Sequence, residues 1–208
     1  MHTSTFTKFM GSRSTWGAGM VLAAAMTLPG CTDAQKQGTS SSYLIVDSMQ
    51  AASGAEPTKL GGSLASDVRT KGAIYADGGQ ILLRLALKDP GTLTSPLEPS
   101  PNNFITVNRY HVRYVRSDGR NTQGVDVPFE FDGASTVTVG SAGATLTLTL
   151  VRIQAKVEAP LSGLTGNGGA QVISTIAEVT LYGTDQTGRE VSVVATISVN
   201  FADWADPA

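Results

Sequence analysis

Four basic side chains, Arg109, His111, Arg113 and Arg116, stand close together in the sequence. The first three occupy alternate positions of a predicted strand, so they project from the same face of that strand. Guanidinium and imidazolium groups bind carboxylate and phosphate oxygens through charge-assisted hydrogen bonds. The spacing therefore predicts an anion-binding site at these four residues, for an acidic sugar or a phosphate.

A solvated sheet face is the second interpretation of the same pattern. Opposite charges on adjacent strands commonly pair across a sheet, and Asp126, Glu130 and Asp132 follow the basic residues closely in the chain. In that case neighbouring carboxylates neutralise the basic residues. The sequence leaves both interpretations open.

Catalytic groups are scarce in this chain. After residue 30 the only histidine is His111 and the only cysteine is Cys31, which excludes Cys–His catalysis and zinc sites that need several such ligands. The Gly-x-Ser-x-Gly pattern of serine hydrolases and the Asp-x-Asp-x-Asp-Gly pattern of calcium loops are both absent. We therefore predict no catalytic residue, no metal and no cofactor.

The first 30 residues have the pattern of a cleaved export signal. Lys8 and Arg13 precede an uncharged, largely apolar run from Trp16 to Leu28, and no acidic residue occurs in this segment. As a helix, this run would span about 20 Å, which is shorter than the roughly 30 Å hydrocarbon core of a bilayer. A basic start and a short apolar stretch indicate a signal peptide over residues 1–30.

The boundary sequence Leu28-Pro29-Gly30-Cys31 resembles the lipobox of bacterial lipoproteins. In that family the cysteine sulfur receives a diacylglycerol, so the resemblance implies that Cys31 is lipidated and that the membrane is a partner through this lipid. It also implies a location in the cell envelope. Because Thr32 rather than an aspartate follows the cysteine, the outer membrane or the periplasmic face is favoured in a Gram-negative source.

The charge balance argues against nucleic acid as a partner. Of 15 basic residues, Lys8 and Arg13 belong to the predicted signal peptide, which leaves 13 against 17 acidic residues in the remainder. A mildly acidic domain lacks the basic surface on which nucleic-acid binding depends.

The remaining chain divides into a short tether and one domain. Residues 31–42 are polar and predict a flexible tether after Cys31, whereas period-two alternation of apolar residues starts at Tyr43 and predicts strands. We place strands near 43–49, 66–75, 80–88, 104–117, 125–131, 136–140, 144–158, 171–184 and 190–201. Residues 43–208 are therefore predicted to form an all-β domain, an immunoglobulin-like antiparallel β-sandwich.

Four local features refine this prediction. The apolar face changes phase at Leu150-Val151, which predicts a bulge or a switch between sheets there. Asp185 to Gly188 predicts the turn of a long hairpin. Residues 89–103 contain four prolines and are predicted to form a long loop, which is either a rigid surface connection that covers one end of the sandwich or a functional loop. The segment 66–88 has weaker alternation, which leaves a turn of helix open there.

Two functions from different classes fit these observations. The first is a non-catalytic, lipid-anchored module that binds an envelope protein or a glycan, or that helps to assemble an envelope complex. The alternative is an envelope hydrolase that acts on glycans with a pair of carboxylates, because such pairs converge only in three dimensions. The missing Cys–His and metal sites favour the first function.

Overall fold

The computed structural model describes residues 38–204, and this part of the chain is an all-β fold, as predicted. The predicted signal peptide and Cys31 lie outside the described residues. Ten strands are present: β1 Ser42–Ala52, β2 Ser63–Asp67, β3 Asp77–Leu87, β4 Gly91–Thr92, β5 Ser95–Pro96, β6 Ile105–Val115, β7 Phe131–Val139, β8 Ala144–Val151, β9 Ile173–Asp185 and β10 Glu190–Ala202. The helix α1 covers Ile153–Val157, and short 3₁₀ helices cover Pro101–Asn103 and Leu161–Leu164.

Two main sheets carry eight of these strands. One sheet has the order β1-β3-β8, and the other has the order β2-β10-β9-β6-β7. All neighbouring strands are antiparallel except β2 and β10, which are parallel from Ser63 and Ser198 onward. The five-stranded sheet is therefore mixed, whereas the sequence predicts antiparallel pairing throughout. The strands β4 and β5 form a separate small hairpin.

The inner faces of the two sheets share one hydrophobic core. Alternate residues of β3, β6, β9 and β10 are buried, as their period-two pattern predicts. The Tyr114 hydroxyl on β6 donates a hydrogen bond of 2.7 Å to the carbonyl oxygen of Leu150 on β8, which joins the two sheets. The ring of Tyr114 also packs edge-on against Phe201.

A buried ion pair lies beside this core. The ammonium of Lys156 on α1 is 2.9 Å from Oδ2 of Asp77, at the start of β3. The Lys156 ammonium also donates to the carbonyl oxygen of Asp67, while Asp77 accepts hydrogen bonds from the Ser66 hydroxyl and from the backbone N–H of Gly54. Each charged group is therefore paired and hydrogen-bonded, as burial requires.

The sequence prediction is wrong in three segments. The predicted strand 66–75 ends at Asp67, because Lys71 and Gly72 adopt positive φ and close a tight turn. The predicted strand 125–131 is a compact turn after Gly124, and β7 covers 131–139 rather than 136–140. The predicted strand 144–158 stops at Val151, where α1 soon follows. The pairing of β3 with β8 shifts register at this point, since Asp77 is opposite Val151 and Gly78 is opposite Thr149, which leaves Leu150 as an extra residue. This irregularity agrees with the bulge that the phase change at Leu150-Val151 predicts.

The hairpin of β9 and β10 agrees with its prediction. Gly188 has a φ of +82° in the connecting turn, and the Asp185 carboxylate accepts hydrogen bonds from the backbone N–H groups of Thr187 and Arg189 and from the Thr187 hydroxyl. The positive φ explains the glycine. No helix occurs between residues 66 and 88, which the structure describes completely.

The end at which β1 begins and β3 ends, here called the proximal end, also holds the long loop 89–103. The backbone N–H of Lys88 donates to the carbonyl oxygen of Ser41, and the Ser42 hydroxyl donates to the carbonyl oxygen of Asn103. Ser40 and Ser42 are buried, so the folded part starts within the predicted tether 31–42. The opposite, distal end carries the loop 116–130.

Candidate binding site

The four predicted anion-binding residues lie where the sequence places them, and each has a carboxylate partner. Arg109, His111 and Arg113 point outward from β6 in the five-stranded sheet. Arg113 donates two hydrogen bonds, of 2.6 and 3.1 Å, to one carboxylate oxygen of Glu178, its directly paired residue on β9. This contact is a cross-strand ion pair on an exposed face.

His111 lies between two carboxylates. Its Nε2 is 3.6 Å from Glu130 Oε2, and its Nδ1 is 3.4 Å from Asp132 Oδ1. These are the residues that the second interpretation of the sequence names as partners. An anion at His111 would therefore meet two negative charges.

Arg116 lies beyond the end of β6 and binds Asp118 with two hydrogen bonds, of 2.6 and 3.1 Å. Arg120 contacts the same carboxylate through its guanidinium and its backbone N–H. The Arg116 guanidinium, followed by the backbone N–H of Arg120, holds the pKa of Asp118 well below its usual range. Asp118 therefore keeps its charge and its partners at neutral pH.

Arg109 differs from the other three residues because its guanidinium also stacks on an aromatic ring. The Cζ of Arg109 is 4.1 Å from the centre of the Tyr182 ring, a cation–π distance. Its ion pair with Asp132 is long, at 3.4 Å. Arg109 therefore belongs to a second environment, formed around Tyr182.

A β-bulge at Asn108 creates this environment. The pairing of β6 shifts register between Val107 and Arg109 on both of its neighbours. On β9 the residue opposite is Gly183, where an added Cβ would lie 2.5 Å from the carbonyl oxygen of Thr106. The glycine therefore permits the close backbone approach at the bulge, which reorients Asn108 and Arg109.

A cleft of about 690 Å³ opens at this place. It extends from the start of β1 to the bulge and to the first residues of β10. Its lining combines two aromatic rings with cations, one carboxylate and neutral hydrogen-bonding groups: Gly38, Ser40, Ser42, Tyr43, Lys88, Asn108, Arg109, Tyr182, Gly183, Thr184, Glu190, Val191 and Ser192. A cleft with apolar surfaces and a few converging polar groups is the usual form of a binding site.

The charges of the cleft suit an anionic ligand. Lys88 and Arg109 bring two positive charges, and Glu190 brings one negative charge. The Lys88 ammonium donates one hydrogen bond, of 2.6 Å, to the carbonyl oxygen of Gly38. This bond holds the ammonium at the cleft, and an ammonium has three N–H donors in all. Tyr43 exposes 43% of its surface, so its ring is accessible from solvent.

Of these lining residues, only Arg109 is predicted from the sequence as a binding residue. Tyr43, Lys88, Tyr182 and Glu190 come from four other segments of the chain, and no short motif joins them. The signal that could have pointed to the place is Gly183, a glycine within the strong alternation of β9, since such a glycine often marks a bulge or a close approach.

The described residues hold no group of three or more His, Cys, Asp or Glu side chains arranged to bind a metal ion. Within residues 38–204, no helix has the length and apolar character needed to cross a membrane. No protein-family model, curated protein or solved structure matches the chain.

Proposed function

We propose that the protein is a lipid-anchored module of the cell envelope that binds an acidic glycan in the cleft between β1 and the bulge of β6. The observation that carries this proposal is the pairing of the Tyr182 ring with the Arg109 guanidinium at 4.1 Å. Because the Arg109 guanidinium covers one face of the Tyr182 ring, the exposed ring of Tyr43 in the same cleft provides the aromatic face for the C–H face of a sugar ring. The guanidinium, held in place by Tyr182, suits a sugar carboxylate.

The lining of the cleft also supports binding rather than hydrolysis. Glycoside hydrolysis uses two carboxyl groups that flank the bond to be cleaved. Among the described residues that line the cleft, Glu190 supplies the one carboxylate. The acidic residues near β6, Glu130, Asp132 and Glu178, are engaged with basic side chains.

We further propose an immunoglobulin-like arrangement for the domain. In such domains a three- or four-stranded sheet faces a sheet that is built around a central antiparallel trio of strands. The sheet β1-β3-β8 corresponds to the first, and β10-β9-β6 with β7 at its edge corresponds to the second. This architecture transfers no ligand, because fold alone does not determine function.

Titration calorimetry with trigalacturonate, an acidic trisaccharide, tests the binding site. We expect Tyr43→Ala and Arg109→Met each to weaken binding by about tenfold or more, as the loss of a stacked or charged contact does. Tyr75→Ala and Arg113→Met are the matched controls, since Tyr75 is also 43% exposed and Arg113 lies on the same strand, both outside the cleft lining.

Equal losses in the variants and their controls, or no binding of trigalacturonate by the unaltered protein, would contradict the glycan site. Binding of neutral trigalactose with the same affinity would contradict the role of the two cations. Release of reducing ends from the trisaccharide would instead favour the hydrolase.

Metabolic labelling with a fatty-acid probe tests the anchor. We expect the native chain to take up the probe and to fractionate with membranes, whereas Cys31→Ala does neither. Label on the Cys31→Ala chain, or native material with an unmodified thiol at Cys31, would contradict the lipid anchor.

A further inference from the structure

The small hairpin of β4 and β5 presents an unusual tip. Leu93, at its turn, is completely exposed, and Leu97, just after it, is 53% exposed. The eight residues from Pro90 to Leu97 carry no charge. Exposure of a leucine side chain to water is unfavourable. Its burial in an apolar phase raises the binding constant by a factor of about ten or more.

Local hydrogen bonds hold the hairpin in this shape. The Asp89 carboxylate accepts a hydrogen bond from the backbone N–H of Gly91, the Thr92 hydroxyl accepts one from Ser95, and the N–H of Leu97 donates to the carbonyl oxygen of Pro90. Gly91 has a φ of +78°, and an added Cβ there would lie 2.5 Å from the carbonyl oxygen of Ser95. Leu93 is therefore displayed on a formed turn rather than on a loose segment.

The hairpin leaves the fold at the proximal end, where the described chain begins. Lys88, three residues before the hairpin, is hydrogen-bonded to Ser41 and Gly38. Asn103, at the end of the loop, contacts Ser41 and Ser42. The path from Cys31 to Gly38 spans seven residues. Even when fully extended, seven residues reach no more than about 25 Å.

We propose that the Leu93 hairpin inserts to the boundary between headgroups and acyl chains of the bilayer that holds the Cys31 lipid. This proposal rests on the anchor of the proposed function. A lipid at Cys31 keeps the proximal end within about 25 Å of the membrane, so a weak apolar contact becomes effectively intramolecular. The uncharged segment 90–97 enters this region without the cost of burying a charge. Insertion fixes the orientation of the domain, with the loop 116–130 directed away from the lipid.

The test uses the full chain, purified with its lipid and reconstituted in vesicles of phosphatidylethanolamine and phosphatidylglycerol. A nitrobenzoxadiazole label is attached to L93C and, as the matched control, to V125C on the distal end, where Val125 is 68% exposed. Because the natural chain has one cysteine, whose sulfur the lipid occupies, one label per molecule is expected.

We expect the label at position 93 to shift its emission to the blue and to be quenched by brominated acyl chains, while the label at position 125 keeps the emission of a water-exposed dye. A label at position 94, on T94C, reports the docked fraction without replacing the leucine. Adding Leu93→Ser to this variant is expected to lower the ratio of docked to undocked molecules by about tenfold.

Two results would overturn membrane insertion and leave the anchor intact. One is a water-exposed label at position 93 on vesicles that retain the chain, and the other is equal quenching at positions 93 and 125. A chain that takes two labels and does not float with the vesicles would overturn the anchor itself, and the insertion with it.

Discussion

The ammonium of Lys156 and the carboxylate of Asp77 meet at 2.9 Å with both side chains shielded from solvent. Loss of one partner leaves the other charge buried and unpaired, which costs about 3–5 kcal/mol. We therefore expect Lys156→Met to lower the free energy of unfolding by that amount, measured by urea denaturation. The double variant with Asp77→Asn removes the orphaned charge, keeps an acceptor for Gly54, and is expected to recover at least half of the loss. A double variant no more stable than Lys156→Met would contradict this account.

Because of Tyr114, the free energy of unfolding is expected to decrease as the pH becomes alkaline. Burial, with a smaller contribution from the nearby charge of Asp77, raises the pKa of the Tyr114 hydroxyl far above its usual value. A raised folded-state pKa contributes stability that is complete below the unfolded value, about 10, and declines as the pH rises beyond it. We expect the free energy of unfolding to fall above pH 10 with a slope approaching about 1.4 kcal/mol per pH unit from this group. In Tyr114→Phe this contribution to the slope should vanish, and an unchanged slope would argue against it.

The carboxylate of Asp185 links the hairpin turn to acid stability. Burial works to raise the pKa of Asp185, but hydrogen bonds from the Thr187 hydroxyl and from the N–H groups of Arg189 and Thr187 outweigh it and leave the pKa below the ordinary 3.8. The stabilisation is therefore present above about pH 4, the unfolded value, and is lost as the pH falls through the folded value. We expect Asp185→Asn to cost about 1 kcal/mol at pH 7 and much less near pH 2. A difference between the two proteins that stays constant with pH in acid denaturation would refute this role.

Gly183 is expected to be a sensitive position of the five-stranded sheet. In Gly183→Ala the new methyl group would meet the backbone of Thr106 and Val107, which cannot move as a side-chain tip can. We expect a loss of about 2–3 kcal/mol in thermal or urea unfolding, together with weaker ligand binding in the cleft. Gly62→Ala is the control, because no atom lies within 4 Å of the added Cβ and its φ is not positive. Equal stability of the two variants would show that the bulge is not tightly fitted.

The sequence predicts those elements of the fold that depend on residues close together in the chain, and it misses those that depend on distant residues. The faces of β9 and β10 follow from period two alone, because each strand buries one side along its whole length. Residues 153–157 continue a similar apolar pattern yet form a helix, and from this helix Lys156 contacts Asp77 and Asp67, which are distant in the chain. Contacts between residues that are so far apart in the chain cannot be recognised from a short stretch of sequence.

The candidate site shows the same division. The outward stripe of Arg109, His111 and Arg113 follows from alternation, and so do carboxylate partners close in the chain, such as Asp132. The partner of Arg113 is Glu178, some 65 positions away, and it depends on the register of β6 against β9. The cleft depends further on the bulge at Asn108, which alternation does not reveal.

The position of β10 between β2 and β9 has a consequence for biosynthesis. A nascent polypeptide that has not yet supplied Glu190–Ala202 leaves β2 without any neighbour in its sheet and β9 with one open side. Residues 63–67 can therefore pair with their hydrogen-bonding partner only after more than a hundred further residues have been synthesised. Closure of this sheet is a late event that joins distant parts of the chain, and any machinery that moves the polypeptide before then handles an incompletely paired molecule.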